Sequence, residues 1–499
     1  MYFFYFLSRP FFLWVYYSIW KENVKKNSFD KLSSNKKCDV LIIGGGITGI
    51  SSAYQLINKG LNVILVERNE IGGGITSRTT GKLTYLQDLI YSTLNNKYSY
   101  DIAYKYLNSQ MDAINIVKNV ILENNIDCNL DCQDSFLFTN NKDNISKIEE
   151  EKKVLERMGV VVNDKDKINL NIPYCYGISV SDTYYFHPVK YIQSLASICF
   201  NNGIEIYEHT KVMDIKKREE CYECILEECK AYAKNVILAS HYPYFIKPFL
   251  FPIKAHIEKS YILADKVSDY NNISGISIDK DITSFRYYKD KNNYLIYLYG
   301  THNLAYKFNY KSNFDRLINS FNINNRNIKY IWSNTDIVTS DGLPYIGKIS
   351  DNLYIGTGYN GWGMTNGTIA GMILSDLILG RENKYASLFD PLRKSIYNIA
   401  IFGNVFNSMK PFIQNKVIKN KKYYSDNVVY MKRNGKNIAI YTDKLGKEHI
   451  VYSDCPHLKC SLVFNEVEKT WDCPCHASKF DIDGNCINGP SNYNIRYKK

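Results

Sequence analysis

Four residues near the C-terminal end have the types and spacing of a metal centre. Cys455 and His457 form C-x-H in CPHLKC, and Cys473 and His476 form C-x-x-H in CPCHAS. Two thiolates and two imidazoles on two loops could hold zinc in a closed tetrahedral site. They could also hold a 2Fe–2S cluster in which two His replace two Cys on one iron and raise its potential. A further Cys, Cys460 or Cys475, falls in each loop.

A second chemistry-bearing stretch is DVLIIGGGITGISSAYQLINKGLNVILVE, from Asp39 to Glu67. Val40 to Ile43 reads as a buried parallel strand that runs into Gly44, Gly46 and Gly49. Ile50, Ala53, Tyr54 and Ile57 then recur at helical spacing and Gly60 stops the helix, with Ile47 beside the glycines as a candidate cofactor contact. Val63 to Val66 is a second strand, closed by Glu67. Glycines here give a tight turn, backbone approach to a pyrophosphate and close helix–strand packing. The helix N-terminus faces the phosphates, and Glu67 is placed to accept from ribose hydroxyls. A second glycine-rich loop, IGGGITSRTTGKLT, offers Arg78, Thr79 and Thr80 as further contacts. That suits a long cofactor, FAD, better than NAD.

A third block is DGLPYIGKISDNLYIGTGYNGWGMTNGTIAGMILSDLILG. Leu353 to Ile355 reads as a strand. Gly356, Gly358, Gly361 and Gly363 form a loop in which backbone can approach a flat ring, with Met364 and Thr365 beside it. Thr365 to Leu379 reads as a helix whose N-terminus would stabilise negative charge on a reduced ring.

The elements between these blocks must position them. Tyr100–Asn124 and Asn144–Met158 have helical periodicity, and Asp134–Thr139 reads as a strand. Thr183–Phe200 reads as a helix entered through His187-Pro188. Lys211–Ala239 reads as a hairpin followed by a return strand ending in NVILA, with Val212 at the cofactor. Lys259–Leu263, Ser284–Tyr288 and Tyr294–Tyr299 read as strands of a second, antiparallel sheet. From Tyr423 the pattern changes to short alternating runs punctuated by RNGK and KLGK, a small antiparallel β domain. Cys221, Cys224 and Cys229 read as ordinary cysteines of an exposed hairpin.

The chain has 499 residues, 45% hydrophobic and 22% charged, enough for several packed domains. Its net charge of +12 comes from scattered Lys and reads as solvated surface, not a nucleic-acid footprint. Met1 to Trp20 is strongly aromatic but broken at Arg9-Pro10. Neither apolar run approaches the about 20 residues of a membrane-spanning helix, and a cleavable signal is not expected. It reads as a loose N-terminal arm, with an interfacial anchor or an upstream extension as alternatives.

These motifs carry a resemblance. GGGITG with Glu67, SRTTGK, ILASHYP and DGLPYIG with its glycine loop are similar to the D-amino-acid oxidase and glycine oxidase superfamily of FAD enzymes. That resemblance implies a Rossmann-like FAD domain interleaved with an antiparallel substrate domain, and hydride removal from a C–N bond. SRTTGK lacks the His or Cys of covalent attachment, so FAD is expected to be non-covalent. Asp336 occupies, by spacing, the place of the Arg that grips the substrate carboxylate in amino-acid oxidases. Cys455 to Cys475 resembles Rieske 2Fe–2S proteins, with FDIDGNCINGP closing that fold. This implies Cys455, His457, Cys473 and His476 as cluster ligands and a disulfide between Cys460 and Cys475. The whole resembles bacterial two-domain flavoproteins.

The expected organisation is an arm at 1–36, an α/β and α+β oxidoreductase unit at 37–395, a helical connector at 396–422 and an all-β Rieske domain at 423–499. The expected activity is dehydrogenation of a small amine or imino/amino acid, with electrons leaving singly through the cluster to an external acceptor. His241, Arg286, His302, Asp336 and Tyr359 are candidate pocket residues. A non-catalytic redox-sensing or electron-carrying module is the alternative, and the intact glycine blocks argue against it. The expected location is the cytoplasm, with membrane contact through residues 1–20 and no span.

Overall fold

The computed structural model describes residues 17–164, 172–242, 254–304, 310–324, 326–393, 427–475 and 478–498. The apolar run from Val40 lies in the central strand Lys36–Ile43, and Val40–Ile43 is paired on both edges. It lies parallel to Val63–Val66 on one side and Lys230–Leu238 on the other. Glu205–Tyr207 extends the sheet beyond Val63–Val66, and Leu353–Thr357 pairs with the end of Lys230–Leu238. The hairpin Val212–Lys217 and Tyr222–Leu226 adds antiparallel strands at the other half of that strand. A central strand buried on both faces must be apolar throughout, which is why it reads as a run and not an alternation.

Helix Ile47–Gln55 follows the glycine turn, and helix Gly363–Ile378 lies against it. Small residues set that approach: a Cβ on Gly371 would meet Ser51 Cβ at 2.6 Å, and one on Gly367 would meet Ile47 at 2.6 Å. Only glycine lets the two helices come to backbone contact there. Among the described residues the second sheet has eight strands, with Ile328–Thr339 at one edge beside Ala255–Val267. It is antiparallel except where Ile273–Ser277 joins Asp134–Thr139 in parallel.

Three sequence expectations change. The helix expected over 183–200 begins at Pro188, capped by His187, whose ring accepts from Lys190 N. Tyr184–Tyr185 instead pairs as a strand with Lys82–Leu83 and Asp131–Cys132. Proline at the first helical position fixes the start, so the preceding residues are free to extend. Residues 17–36 are not a loose arm. Trp20 is 0% exposed, donates from Nε1 to Thr79 O at 2.6 Å, and meets His187 and Tyr288 edge-on. Phe29 N and Leu32 N donate to Glu208 and Thr210 of the first unit. Trp20 and Phe29 are therefore part of the core. Residues 1–16 lie outside the described residues, and no helix among the described ones is long and apolar enough to cross a membrane. Cys224 is buried in the hairpin, not exposed, and burial pushes its thiol up.

The connector expected at 396–422 lies outside the described residues. The C-terminal unit is all β: Val428–Arg433, Lys436–Thr442 and Glu448–Tyr452 form one sheet. Val463–Asn465, Thr470–Asp472, Lys479–Asp481 and Cys486–Asn488 form another. Buried charges seat it on the rest of the chain. Glu468 faces Arg78 at 3.2 Å and also bonds Lys479, and Asp472 faces Lys259 at 2.5 Å. Glu468 and Asp472 side chains are 4% and 5% exposed. Pairs so dry fix one docking geometry, because neither charge can stay buried alone.

Candidate active site and metal centre

One cavity gathers most of the glycine-rich residues. It is lined by Gly44, Gly46 and Ile47 at one turn, Glu67 and Val212 at the strand ends, and Gly358, Gly363 and Met364 at the third block. Gly44 has φ +116, and a Cβ there would meet Ala239 O at 2.8 Å. Glu67 accepts from Gly45 N and Asn69 N, which orients its carboxylate at the end of the second strand. Gly49 does not line the cavity; a Cβ on it would lie 1.9 Å from Gly44 O, so it closes the turn against the helix.

The SRTTGK loop serves in a different way from the one expected. Thr79 lines the cavity, but Arg78 and Thr80 do not. The Arg78 guanidinium donates to Ser333 O and to Glu468 of the C-terminal unit, both at 3.2 Å. Thr80 O accepts from Arg286 at 2.7 Å. Thr365 bonds Gln87 and the Trp362 carbonyl, away from the cavity wall.

Among the candidate pocket residues, Asp336, Tyr359 and His241 line the cavity. Arg286 does not. It is 1% exposed, and its guanidinium donates to the carbonyls of Thr80, Gly81 and Phe186 and packs beside Trp20, Tyr185 and Tyr288. These bonds tie it to residues 80–81 and Phe186, away from the cavity wall. The side chain of His302 lies outside the described residues.

Asp336 sits inside strand Ile328–Thr339, opposite Glu258 of the neighbouring strand. It accepts from Asn334 Nδ2 at 3.2 and 3.3 Å and from Ser260 Oγ at 3.4 Å. Burial and the nearby Glu258 charge push its carboxyl up to about 7. Glu258 contacts His256 at 3.0 Å. Asn334 also lines the cavity, and its buried Oδ1 has no partner among the described residues. Tyr359 shares a 2.7 Å hydrogen bond with Thr48 Oγ1. Thr357 Oγ1 donates to His241 O at 2.7 Å, and the His241 ring is hydrogen-bonded to the Thr335 backbone. Its buried Nε2 has no partner among the described residues, and burial lowers its pKa to about 4. It is therefore neutral at neutral pH. Asn334 and Glu258 carry no local sequence signal; only the pairing of strands brings them beside Asp336.

In the C-terminal unit Cys455 and Cys473 are buried together, at 0% and 2% exposure. Cys473 beside it lowers the Cys455 thiol, with the backbones of His457 and Leu458 and the Ser478 hydroxyl adding to the effect against burial. Cys460 and Cys475 form a disulfide. The Cys473 sulfur lies within 4.8 Å of both disulfide sulfurs. His457 meets Tyr242 edge-on, with ring centroids 6.5 Å apart. His476 lies outside the described residues.

Comparisons with known proteins give the family of each part of the chain. The family profile "FAD dependent oxidoreductase" matches residues 39–377, and "Rieske [2Fe-2S] domain" matches 414–497. The chain is 32% identical over 493 residues to YhfW of Bacillus subtilis, named as a Rieske 2Fe-2S iron-sulfur protein, covering 95% of each. It is 25% identical to gamma-glutamylputrescine oxidoreductase of Escherichia coli, over 72% of this chain and 87% of that one. Glycine oxidase from Geobacillus kaustophilus has the same fold, with TM-score 0.59 and 16% identity, covering 72% of this chain and 99% of that one.

The residues present fit both groups. Two unpartnered buried acceptors, His241 Nε2 and Asn334 Oδ1, face a cavity walled by glycine backbone. That suits a ligand with ring N–H and ribityl hydroxyl donors. Two buried cysteines with a nearby imidazole suit iron of mixed sulfur and nitrogen ligation.

Proposed function

The chain belongs to the FAD dependent oxidoreductase family and carries a Rieske domain, with FAD and a 2Fe–2S cluster as cofactors, and from this we propose that it dehydrogenates the C–N bond of a small cationic amine and sends the electrons on through the cluster. Bound FAD accepts two electrons as a hydride and can release them singly, which the cluster requires. Cys455, His457, Cys473 and His476 would ligate the cluster. Gly44, Gly46, Ile47, Glu67, Thr79, Val212, Gly358, Gly363 and Met364 would hold FAD without a covalent bond.

The observation that carries the substrate reading is the carboxylate of Asp336 in the cavity wall with Glu258 opposite it. Two acids side by side repel a substrate carboxylate and attract an ammonium group. A cationic N–H partner on such a substrate would offset the burial, and the lesser Glu258 repulsion, that raise Asp336. The E. coli relative is named for an amine-derived compound, which supports this class. Tyr359 and Thr48 form a hydroxyl pair that can orient the substrate beside the glycine loop. An external acceptor would take the electrons from the cluster.

Steady-state kinetics of wild type and Asp336→Asn across diamines, monoamines and amino acids test this reading. Loss of a charge-assisted hydrogen bond should weaken a diamine by about 1.5–3 kcal/mol, roughly 10- to 150-fold. The sign of the pH effect follows from the raised carboxyl. Below about 7 Asp336 takes up a proton, so diamine affinity should fall as pH drops through that value and level off above it. In Asp336→Asn this dependence should vanish. A simple amino acid as best substrate, with kinetics indifferent to Asp336→Asn, would refute the cationic reading.

A further inference from the structure

The consecutive residues His241 and Tyr242 join the two redox sites. His241 lines the cavity that fits FAD, with Nε2 unpartnered among the described residues. Tyr242, one peptide further on, is 7% exposed and meets the His457 ring edge-on, with centroids 6.5 Å apart. The edge-on arrangement is the favoured contact of two flat rings. His241 is fixed by the Thr335 backbone, and Thr357 holds its carbonyl. On the far side, the buried pairs of Glu468 and Asp472 seat the domain that carries His457. The contact between Tyr242 and His457 is therefore held by the docking and not left to encounter.

We propose that the His241–Tyr242 dipeptide is the electron route from the flavin cavity to the cluster, with Tyr242 as the aromatic contact to the iron ligand His457. This rests on FAD and the cluster occupying their sites, and not on the identity of the amine. In each passage one electron leaves reduced flavin and one ferric iron of the cluster becomes ferrous. The ring proton that flavin loses on full oxidation goes to solvent. The cluster returns to the ferric state by reducing an external one-electron carrier. Tyr242 changes no bond; its packed ring shortens the gap that an electron must cross. His241, hydrogen-bonded to the Thr335 backbone, holds the start of the route at the cavity wall.

The test needs no substrate. In holoenzyme with the cluster oxidised, flavin is reduced by a light pulse with a photoreductant, and arrival at the cluster is followed by its absorbance and by freeze-quenched electron paramagnetic resonance. FAD content, iron content and cluster g values are measured on the same samples. Tyr242→Phe keeps the ring and should transfer at the wild-type rate. Tyr242→Leu keeps apolar bulk without the ring. It should keep both cofactors and unchanged g values, yet slow the transfer by an order of magnitude or more. Direct reduction of its cluster by dithionite should be unaffected. Wild-type transfer in Tyr242→Leu would overturn the route. So would equal slowing in Tyr242→Phe, since the hydroxyl and not the ring would then matter. Failure of every amine to bleach the flavin would count against the proposed substrate and leave this result standing.

Discussion

Glu468→Gln is expected to cost the docked C-terminal domain about 3–5 kcal/mol, the usual effect of removing one charge from a buried pair. Glu468 binds Arg78 and Lys479, and it also accepts from Ser333 N, the Ser333 hydroxyl and Asn465 Nδ2. The amide keeps the shape but turns a donor towards donors, and it removes the charge that Arg78 and Lys479 contact directly. Asp472 is already engaged by Lys259 and Tyr310 and cannot replace it. Calorimetry of the holoenzyme should show the C-terminal domain unfolding earlier than in wild type. An unchanged transition would mean that the pairs do not hold the interface. Acid provides a second check. Although burial opposes it, Lys479, Arg78 and Lys259 hold the Glu468 carboxyl well below its usual range, and Lys259 and Lys479 do the same for Asp472. A depressed carboxyl stabilises above its unfolded value, about 4, and loses that contribution as pH falls further. Undocking should therefore begin only below about pH 4.

Gly49→Ala is expected to yield protein without FAD. The added Cβ would sit 1.9 Å from Gly44 O and 3.2 Å from Ile42 Cγ2. The obstacle is backbone, so no rotamer relieves it; the turn that presents Gly44 and Gly46 to the cavity must open. The cost falls on the phosphate turn and spares the C-terminal unit. Absorbance of the purified variant should show the cluster but no flavin, with iron retained. Stoichiometric FAD in Gly49→Ala would show that this turn is not what holds the cofactor.

Much of this was legible because the signals are local. The strand, glycine turn and helix from Asp39 lie within one short stretch, and their spacing states their geometry. The cysteines and histidines of the metal centre are legible for the same reason. What could not be read depends on residues far apart in the chain. Arg78 looked like a phosphate contact because it follows a glycine loop, but its partner Glu468 lies 390 positions away. Arg286 looked like a pocket residue, yet burial obliges its donors to find carbonyls, and the nearest are in the 78–81 segment and Phe186. Trp20 looked like part of a loose arm because aromatic content alone does not say which side of a surface it occupies. Asp336 was located by its distance from the DGLP stretch, but Glu258 beside it became apparent only from strand register. Tyr242 lies in the ILASHYP stretch, but nothing there announces its contact with His457, which exists only because the last domain docks.

The central claim is that electrons taken from an amine pass from flavin to the cluster within one chain. Anaerobic mixing of the holoenzyme with a diamine, followed by absorbance and electron paramagnetic resonance of frozen samples, tests it most directly. The expected result is bleaching of the flavin together with the rhombic signal of a reduced, mixed His/Cys-ligated cluster, without any added mediator. A bleached flavin beside a cluster that stays oxidised until dithionite is added would contradict it.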